Sequence, residues 1–294
     1  MPRLRTLLVL SRASNLPTVW SNCLAGWWLG GHASTRNLPL LFLGVTLLYV
    51  GGMYLNDAFD ANFDRQHRKE RPIARGEISA GAVSKLGMLW MALGMASLFW
   101  IGNLTGLLGV ALVFCILLYD FMHKLVTFSP LLMGACRFFV YPVAASVGGM
   151  GEFGQVITYN KVGNGWPVWC GLALALYVIG LSFIARRESA RGPIRYWPLI
   201  FLPAPIVLAF LMNAGEYRQS AAVLSLVLGL WVLRSLRTYL WAVERQIGRT
   251  VSGLLAGIVF VDWLAVADMP RLLGLIFVAL FGLAIFFQRF VPAT

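Results

Sequence analysis

The chain of 294 residues is 59% hydrophobic and only 12% charged. Soluble globular domains typically carry ~25% charged residues, so this composition excludes a water-soluble enzyme. The net charge of +12 is explained by basic loops that face anionic lipid, and we therefore expect no nucleic-acid partner.

Ten apolar segments follow one another along the chain, separated by connectors that contain Gly, Pro, Asn and charged residues. About 20 apolar residues cross a bilayer core of ~30 Å. Because lipid offers the backbone no hydrogen-bond partner, such segments must be helical. We predict an all-α, multi-pass transmembrane bundle of nine to ten helices, forming one membrane-embedded domain over residues 1–294. The predicted spans are residues 15–30, 39–56, 82–101, 104–119, 129–150, 167–185, 196–211, 221–241, 250–266 and 271–287.

The distribution of basic residues predicts the orientation of these spans. Of the 24 Lys and Arg residues, 18 lie in the N-terminal tail, in the even-numbered connectors or in the span ends next to them, and four lie in the odd-numbered connectors or next to them. Cytoplasmic loops collect Lys and Arg. The N-terminus is therefore predicted to be cytoplasmic, in an inner or cytoplasmic cell membrane.

A stripe of oxygen-bearing side chains ends the second predicted span. Asn56, Asp60 and Asp64 are spaced i, i+4 and i+8, which places them on one helix face. Such groups are costly at a membrane boundary unless they have partners. Hard oxygen ligands suit Mg²⁺, which binds one or two carboxylates together with substrate phosphates, so the three residues are candidate metal ligands and catalytic residues.

Basic side chains follow this stripe, at Arg68, Arg71 and Arg75. Arginine recognises phosphate in a bidentate manner. A site that binds a diphosphate ester requires both kinds of group, carboxylates that bind a metal and guanidinium groups that bind phosphate. The competing interpretation is a solvated helix end whose charges only terminate a span.

The same stretch carries a family resemblance. The pattern Asn56-Asp57-x-x-Asp60-x-x-x-Asp64-x-x-x-Arg68-x-x-Arg71-Pro72-Ile73 resembles the first aspartate-rich motif of the UbiA family of intramembrane prenyltransferases. Residues 12–18, 119–124 and 129–141 are similar to the family's opening helix, its Tyr…Lys connector and its fifth helix. The resemblance implies a bundle around a central cavity, where Mg²⁺ and a prenyl diphosphate meet a small acceptor among membrane lipids. It implies diphosphate contacts from Arg68, Arg71 and Lys124, and an acceptor side at Arg12 and Asn15.

The family's second motif, an Asp-x-x-x-Asp pair that ends the sixth helix, is changed in this chain. Glu188 is the acidic residue at that place, with Ile184 and Gly192 four residues to either side. We interpret Glu188 as a possible remnant of the motif. Arg186, Arg187 and Arg191 are alternative groups for neutralising the diphosphate. Whether the site binds one or two Mg²⁺ ions is therefore left open at this point.

Two charged residues lie inside predicted spans. Intramembrane charges usually face a cavity or pair with each other. Arg137 is therefore either a cavity-facing diphosphate ligand or part of a structural ion pair. Asp262 is expected to pair with an intramembrane cation or to pack among buried polar groups.

The function predicted from these features is Mg²⁺-dependent prenyl transfer to an aromatic or other electron-rich acceptor. Two alternatives use the same bundle: a lipid or metabolite carrier, in which the changed second motif marks lost catalysis, and a membrane scaffold for partner enzymes.

Overall fold

A computed structural model of the protein describes residues 4–124, 126–149, 166–186, 196–212, 215, 217–240 and 246–291. Within these ranges the regular elements are helices. In chain order they are α1 Leu4–Leu10, a 3₁₀ turn Ala13–Asn15, α2 Leu16–Leu29, α3 Leu38–Phe59, α4 Ala61–His67, α5 Ala80–Ile101, α6 Asn103–Met122, α7 Ser129–Gly148, α8 Trp166–Ala185, a 3₁₀ turn Trp197–Phe201, α9 Ala204–Leu211, α10 Tyr217–Leu240, α11 Ile247–Ala265 and α12 Arg271–Phe287.

Seven of the described helices are long and apolar enough to cross a membrane. They are α3, α5, α6, α7, α8, α10 and α11, and shorter apolar helical segments lie at Trp197–Leu211 and Arg271–Phe287. Their outer surfaces carry exposed large apolar side chains, such as Trp100 at 83% exposure. Such a surface is typical of helices that face lipid. The predicted all-α membrane bundle is confirmed, and the predicted spans other than 196–211 lie mainly on helical backbone where the structure describes them.

The predicted span 196–211 is not one continuous α-helix, which corrects the sequence prediction. It consists of the 3₁₀ turn Trp197–Phe201 and the short helix α9, which begins at Ala204. Pro203 and Pro205 have no N–H to donate, and a proline ring clashes with the carbonyl four residues earlier. The two prolines therefore interrupt the α-helical hydrogen bonds at this point.

The helices that build the interior approach each other through small residues. α7 packs against α2, α6 and α8, while α3 packs along α5, and α11 contacts α2 and α8. Gly26 and Gly30 lie four residues apart on the face of α2 that meets α7, and an added Cβ at Gly30 would lie 2.3 Å from the carbonyl oxygen of Ala145. Small residues at this spacing let membrane helices come close, and this contact fixes how the polar side chains of α2 meet those of α7.

Candidate active site

A cavity of about 610 Å³ lies between α2, α3, α6, α7, α8 and α11. Most of its wall is apolar, with side chains such as Leu48, Leu112 and Ile116. One end, which we call the polar end, lies where α3 meets α4 and where α6 leads into α7. Asp60, Arg68, Arg71, His123 and Lys124 line the polar end.

Two residues of the predicted oxygen stripe, Asn56 and Asp60, line the cavity, whereas Asp64 is buried outside its lining. α3 ends at Phe59 and α4 begins at Ala61, so the helix is interrupted at Asp60. Backbone hydrogen bonds nevertheless continue, from the Asp60 N–H to the Asn56 carbonyl at 3.0 Å and from the Asp64 N–H to the Asp60 carbonyl at 2.9 Å. The one-turn spacing of Asn56, Asp60 and Asp64 is therefore kept across the junction.

Asp60 is held by two basic residues from the end of α6. Lys124 Nζ lies 2.6 Å from Asp60 Oδ1, and His123 Nε2 lies 3.3 Å from Asp60 Oδ2. Burial acts to raise the pKa of Asp60, but hydrogen bonds from His123 and Lys124 outweigh it and bring the pKa below its usual value. Asp60 is thus ionised and already beside a cation that can meet phosphate oxygens.

Asn56 joins α3 to α6 and to the N-terminal segment. Its Oδ1 accepts a hydrogen bond from Arg12 at 3.3 Å, and its Nδ2 donates to Asp120 Oδ1 at 3.1 Å. Asp120 was not singled out from the sequence, although it is an acidic residue at the end of an apolar span, within the stretch 119–124 that resembles the family's connector. The structure places it in the cavity wall.

Asp57 is a second acidic residue at this place to which the sequence analysis gave no role. Its Oδ1 lies 3.3 Å from Arg12 Nη2 and 3.9 Å from Arg71 Nη1. Burial lowers the pKa of Arg71 from its ordinary value. The buried carboxylate of Asp57 therefore holds two guanidinium groups at the polar end.

The carboxylates of the polar end fit a divalent cation bound together with phosphate. Asp57 Oδ2, Asp64 Oδ1 and Asp120 Oδ2 are buried and have no hydrogen-bond partner among the described residues. Burial also raises the pKa of Asp64 above its ordinary value. Within the described part of the chain, no three His, Cys, Asp or Glu side chains form a ready metal cage. Mg²⁺ commonly takes only one or two carboxylates, with substrate phosphates completing the shell, so these oxygens suit it.

The predicted diphosphate ligands divide between two depths. Arg68, Arg71 and Lys124 lie together at the polar end. Arg137, also in the cavity wall, lies 6.0 Å from the ring of Tyr49. Tyr49 precedes Asp60 by eleven residues, which at about 1.5 Å per residue is ~16 Å farther into the bundle. The structure therefore does not bring Arg137 to the other three.

Arg137 belongs to a buried network that spans three helices. Its Nη1 donates to Asn22 Oδ1 at 2.7 Å, and its Nη2 donates to Thr18 Oγ1 at 3.0 Å. Asn22 in turn donates to both oxygens of Asp262, at 2.8 and 2.7 Å. Both expectations for Asp262 thus hold in part, because it packs among polar groups and reaches a cation through one of them.

Of the remaining predicted site residues, three line the cavity and three lie outside the described part of the chain. Arg12 and Asn15 line it. Arg186 also lines the cavity, and its Nη1 donates to the Thr127 carbonyl at 2.6 Å and to Ser129 Oγ at 3.0 Å. Glu188 lies outside the described residues, as do Arg187 and Arg191, and their predicted roles are untested.

Comparisons with known proteins agree with this architecture. A model of the UbiA prenyltransferase family matches residues 14–260. The 4-hydroxybenzoate octaprenyltransferase of Pseudomonas fluorescens is 30% identical over 173 residues, which cover 56% of this chain and 51% of that protein. The match therefore spans about half the length of this curated relative.

Solved structures show the same fold. A UbiA homolog from Aeropyrum pernix matches with a TM-score of 0.68 and 19% identity, over 89% of this chain and 99% of that chain. A UbiA homolog from Archaeoglobus fulgidus, solved with GPP and Mg²⁺ bound, matches with a TM-score of 0.52 and 15% identity, over 95% of this chain and 98% of that chain.

Proposed function

Because the chain belongs to the UbiA prenyltransferase family, we propose that it transfers a prenyl group from a prenyl diphosphate to an electron-rich acceptor in the membrane. The observation that carries this proposal is the polar end of the cavity. There, Asp60 and Asp120 line the cavity together with Arg68, Arg71 and Lys124, at the head of an apolar space that suits an isoprenoid chain. Asp120 Oδ2 is buried and has no hydrogen-bond partner among the described residues.

The metal site we propose uses the predicted stripe. Asp60 and Asp64 would hold Mg²⁺ when the diphosphate is present, and bound Mg²⁺ would neutralise the charge that develops as diphosphate leaves. Asn56 is committed to Arg12 and Asp120, so its part is to hold Asp120 in the cavity wall. The neighbour from Archaeoglobus fulgidus, which was solved with GPP and Mg²⁺, supports this choice of metal and substrate class.

The chain's own cations complete the leaving-group site. Arg68, Arg71 and Lys124 bind the diphosphate by charge-assisted hydrogen bonds. The C–O bond of the prenyl ester breaks and its electron pair leaves with the diphosphate, which forms an allylic carbocation. An electron pair of the acceptor then forms the new bond to the prenyl carbon, and the acceptor loses a proton. Fixed charges aimed at the leaving group supply the stabilisation that this step requires.

The acceptor is proposed to bind deeper than the diphosphate, beside Arg12, Asn15 and Arg137. We assign Arg137 to the acceptor instead of the diphosphate because its depth separates it from the polar end. A guanidinium in an apolar wall favours an acidic group on the acceptor. The relative from Pseudomonas fluorescens, named for the acid 4-hydroxybenzoate, is consistent with that class.

The proposal includes the orientation of the chain in the membrane. Residues 1–294 form one membrane domain whose N-terminus and polar end face the cytoplasm, because 18 of the 24 Lys and Arg residues lie in the N-terminal tail, in the even-numbered connectors or in the span ends next to them. A cytoplasmic polar end also lets a charged diphosphate enter and leave without crossing the apolar core.

The experiment is a measurement of diphosphate release by the purified protein in lipid nanodiscs, with labelled prenyl diphosphates and a panel of aromatic and phospholipid-like acceptors. We expect Mg²⁺-dependent release that is lost in Asp60→Ala and in Asp64→Ala. The matched control is Asp268→Ala, on the connector between α11 and α12, away from the cavity. Substrate binding without turnover for every chain length and acceptor would contradict the proposal and favour a carrier.

A further inference from the structure

Asp262 is a fully buried carboxylate near the middle of the bundle. It lies on α11 at 0% exposure and accepts hydrogen bonds from Ser21 Oγ, from Asn22 Nδ2 and from the Tyr141 hydroxyl, the last at 2.8 Å. A buried charge is costly, and it is retained where hydrogen bonds satisfy it and where it serves a further purpose. The polar end does not use Asp262.

The amide of Asn22 connects Asp262 to the cavity. An amide has a donating end and an accepting end, and the hydrogen-bond network decides which end points where. The carboxylate of Asp262 only accepts, so the Nδ2 end of Asn22 must face it. The Oδ1 end then faces away from Asp262, and it is this oxygen that accepts from Arg137 Nη1 at 2.7 Å.

We propose that Asp262 is a positioning residue, which fixes the amide of Asn22 and thereby holds the Arg137 guanidinium in the cavity wall where the acidic group of the acceptor binds. Only the statement that the acceptor binds at Arg137 rests on the proposed function. The close contact of α2 and α7 at Gly26 and Gly30 keeps Asn22 and Thr18 within reach of Arg137. Asp262 therefore acts on the acceptor through Asn22 and touches no substrate itself.

The variants for the test are chosen by which groups donate and which accept in the hydrogen bonds from Asp262 through Asn22 to Arg137. In Asp262→Leu, the side chain at position 262 keeps about the same size but accepts no hydrogen bond, so the Nδ2 end of Asn22 loses both of its bonds to position 262. The amide of Asn22 is then free to turn, and its Oδ1 is no longer held toward the Arg137 guanidinium. In the double variant Asn22→Asp/Asp262→Asn, the carboxylate moves to position 22, where it accepts from the new amide and from Arg137 together. Tyr141→Phe is the matched control, because it removes one hydrogen bond of Asp262 and leaves the bonds to Asn22 in place.

The first readout is steady-state kinetics against the acceptor that the nanodisc assay identifies. We expect Asp262→Leu to lower kcat/KM for the acceptor at least about tenfold, the loss of one charge-assisted hydrogen bond, mainly through KM. The affinity for the prenyl diphosphate stays unchanged, and the double variant recovers to within about threefold of wild type. An equal loss in Tyr141→Phe, or no recovery in the double variant, overturns the proposal.

The second readout needs no turnover and so separates this proposal from the proposed function. NMR of arginine side chains labelled with ¹⁵N, assigned with Arg137→Lys, reports whether the guanidinium of Arg137 is held or rotates freely. We expect restricted rotation in the wild type, in Tyr141→Phe and in the double variant, and free rotation in Asp262→Leu. Restricted rotation in Asp262→Leu would overturn the positioning role, even if the protein proved to transfer no prenyl group.

Discussion

Replacing Gly30 by alanine tests whether the contact between α2 and α7 holds the site together. The added Cβ would lie 2.3 Å from the Ala145 carbonyl oxygen and 2.6 Å from the Ala145 Cα. Both neighbours are backbone atoms and cannot rotate away. Carbon–oxygen contacts of about 3.3 Å are normal, so the two helices must separate by about 1 Å.

The size of the effect follows from this separation. Overpacking a well-packed interior costs about 1–3 kcal/mol, and the backbone neighbours place Gly30→Ala at the upper end. A shift of ~1 Å would also lengthen the 2.7 Å bond between Arg137 and Asn22 toward the limit at which hydrogen bonds fail. The variant should therefore lose both stability and affinity for the acceptor.

The control is another glycine-to-alanine change with the opposite expectation. Gly282, on α12, has no atom within 4 Å of an added Cβ, and alanine favours a helix over glycine by about 1 kcal/mol. Thermal unfolding in matched detergent should show a lower Tm for Gly30→Ala and an unchanged or higher Tm for Gly282→Ala. Equal Tm values for Gly30→Ala and wild type would refute the packing argument.

Three further predictions concern the polar end. Lys124→Met removes the cation 2.6 Å from Asp60; we expect the KM for prenyl diphosphate to rise about tenfold, the loss of one charge-assisted contact, whereas a carrier or scaffold without a diphosphate site would show no such change. Asp120→Asn keeps the side-chain shape and the bond to Asn56 but replaces a buried carboxyl oxygen with an amide nitrogen. Turnover should fall at least about tenfold with no loss of Tm, and a variant with full turnover would remove Asp120 from the site. Chelation of Mg²⁺ should stop diphosphate release and added Mg²⁺ should restore it, so release that persists in excess chelator would contradict the metal assignment.

The helices and the oxygen stripe could be predicted because their signals are local. Apolar length identifies a span, and fourfold spacing places Asn56, Asp60 and Asp64 on one face whatever surrounds them. The break in residues 196–211 was missed although Pro203 and Pro205 are visible in the sequence, because hydropathy alone was used to set that span.

Contacts between helices could not be predicted in the same way. Asp120 meets Asn56 across 64 positions of the chain, and no spacing rule connects α6 with α3. The depth of Arg137 in the cavity depends on how α7 packs beside Tyr49 of α3. No pattern in a single sequence predicts that packing. For the same reason the sequence indicated that Asp262 needs a partner but could not name Asn22.

The most direct test of the central claim is mass spectrometry of the products formed by the purified protein in nanodiscs with deuterated geranyl diphosphate, Mg²⁺ and the acceptor panel. The account predicts an acceptor that gains the labelled prenyl group while diphosphate is released, and no such product from Asp60→Ala or Asp64→Ala. Unchanged acceptors beside intact or merely hydrolysed geranyl diphosphate would contradict it.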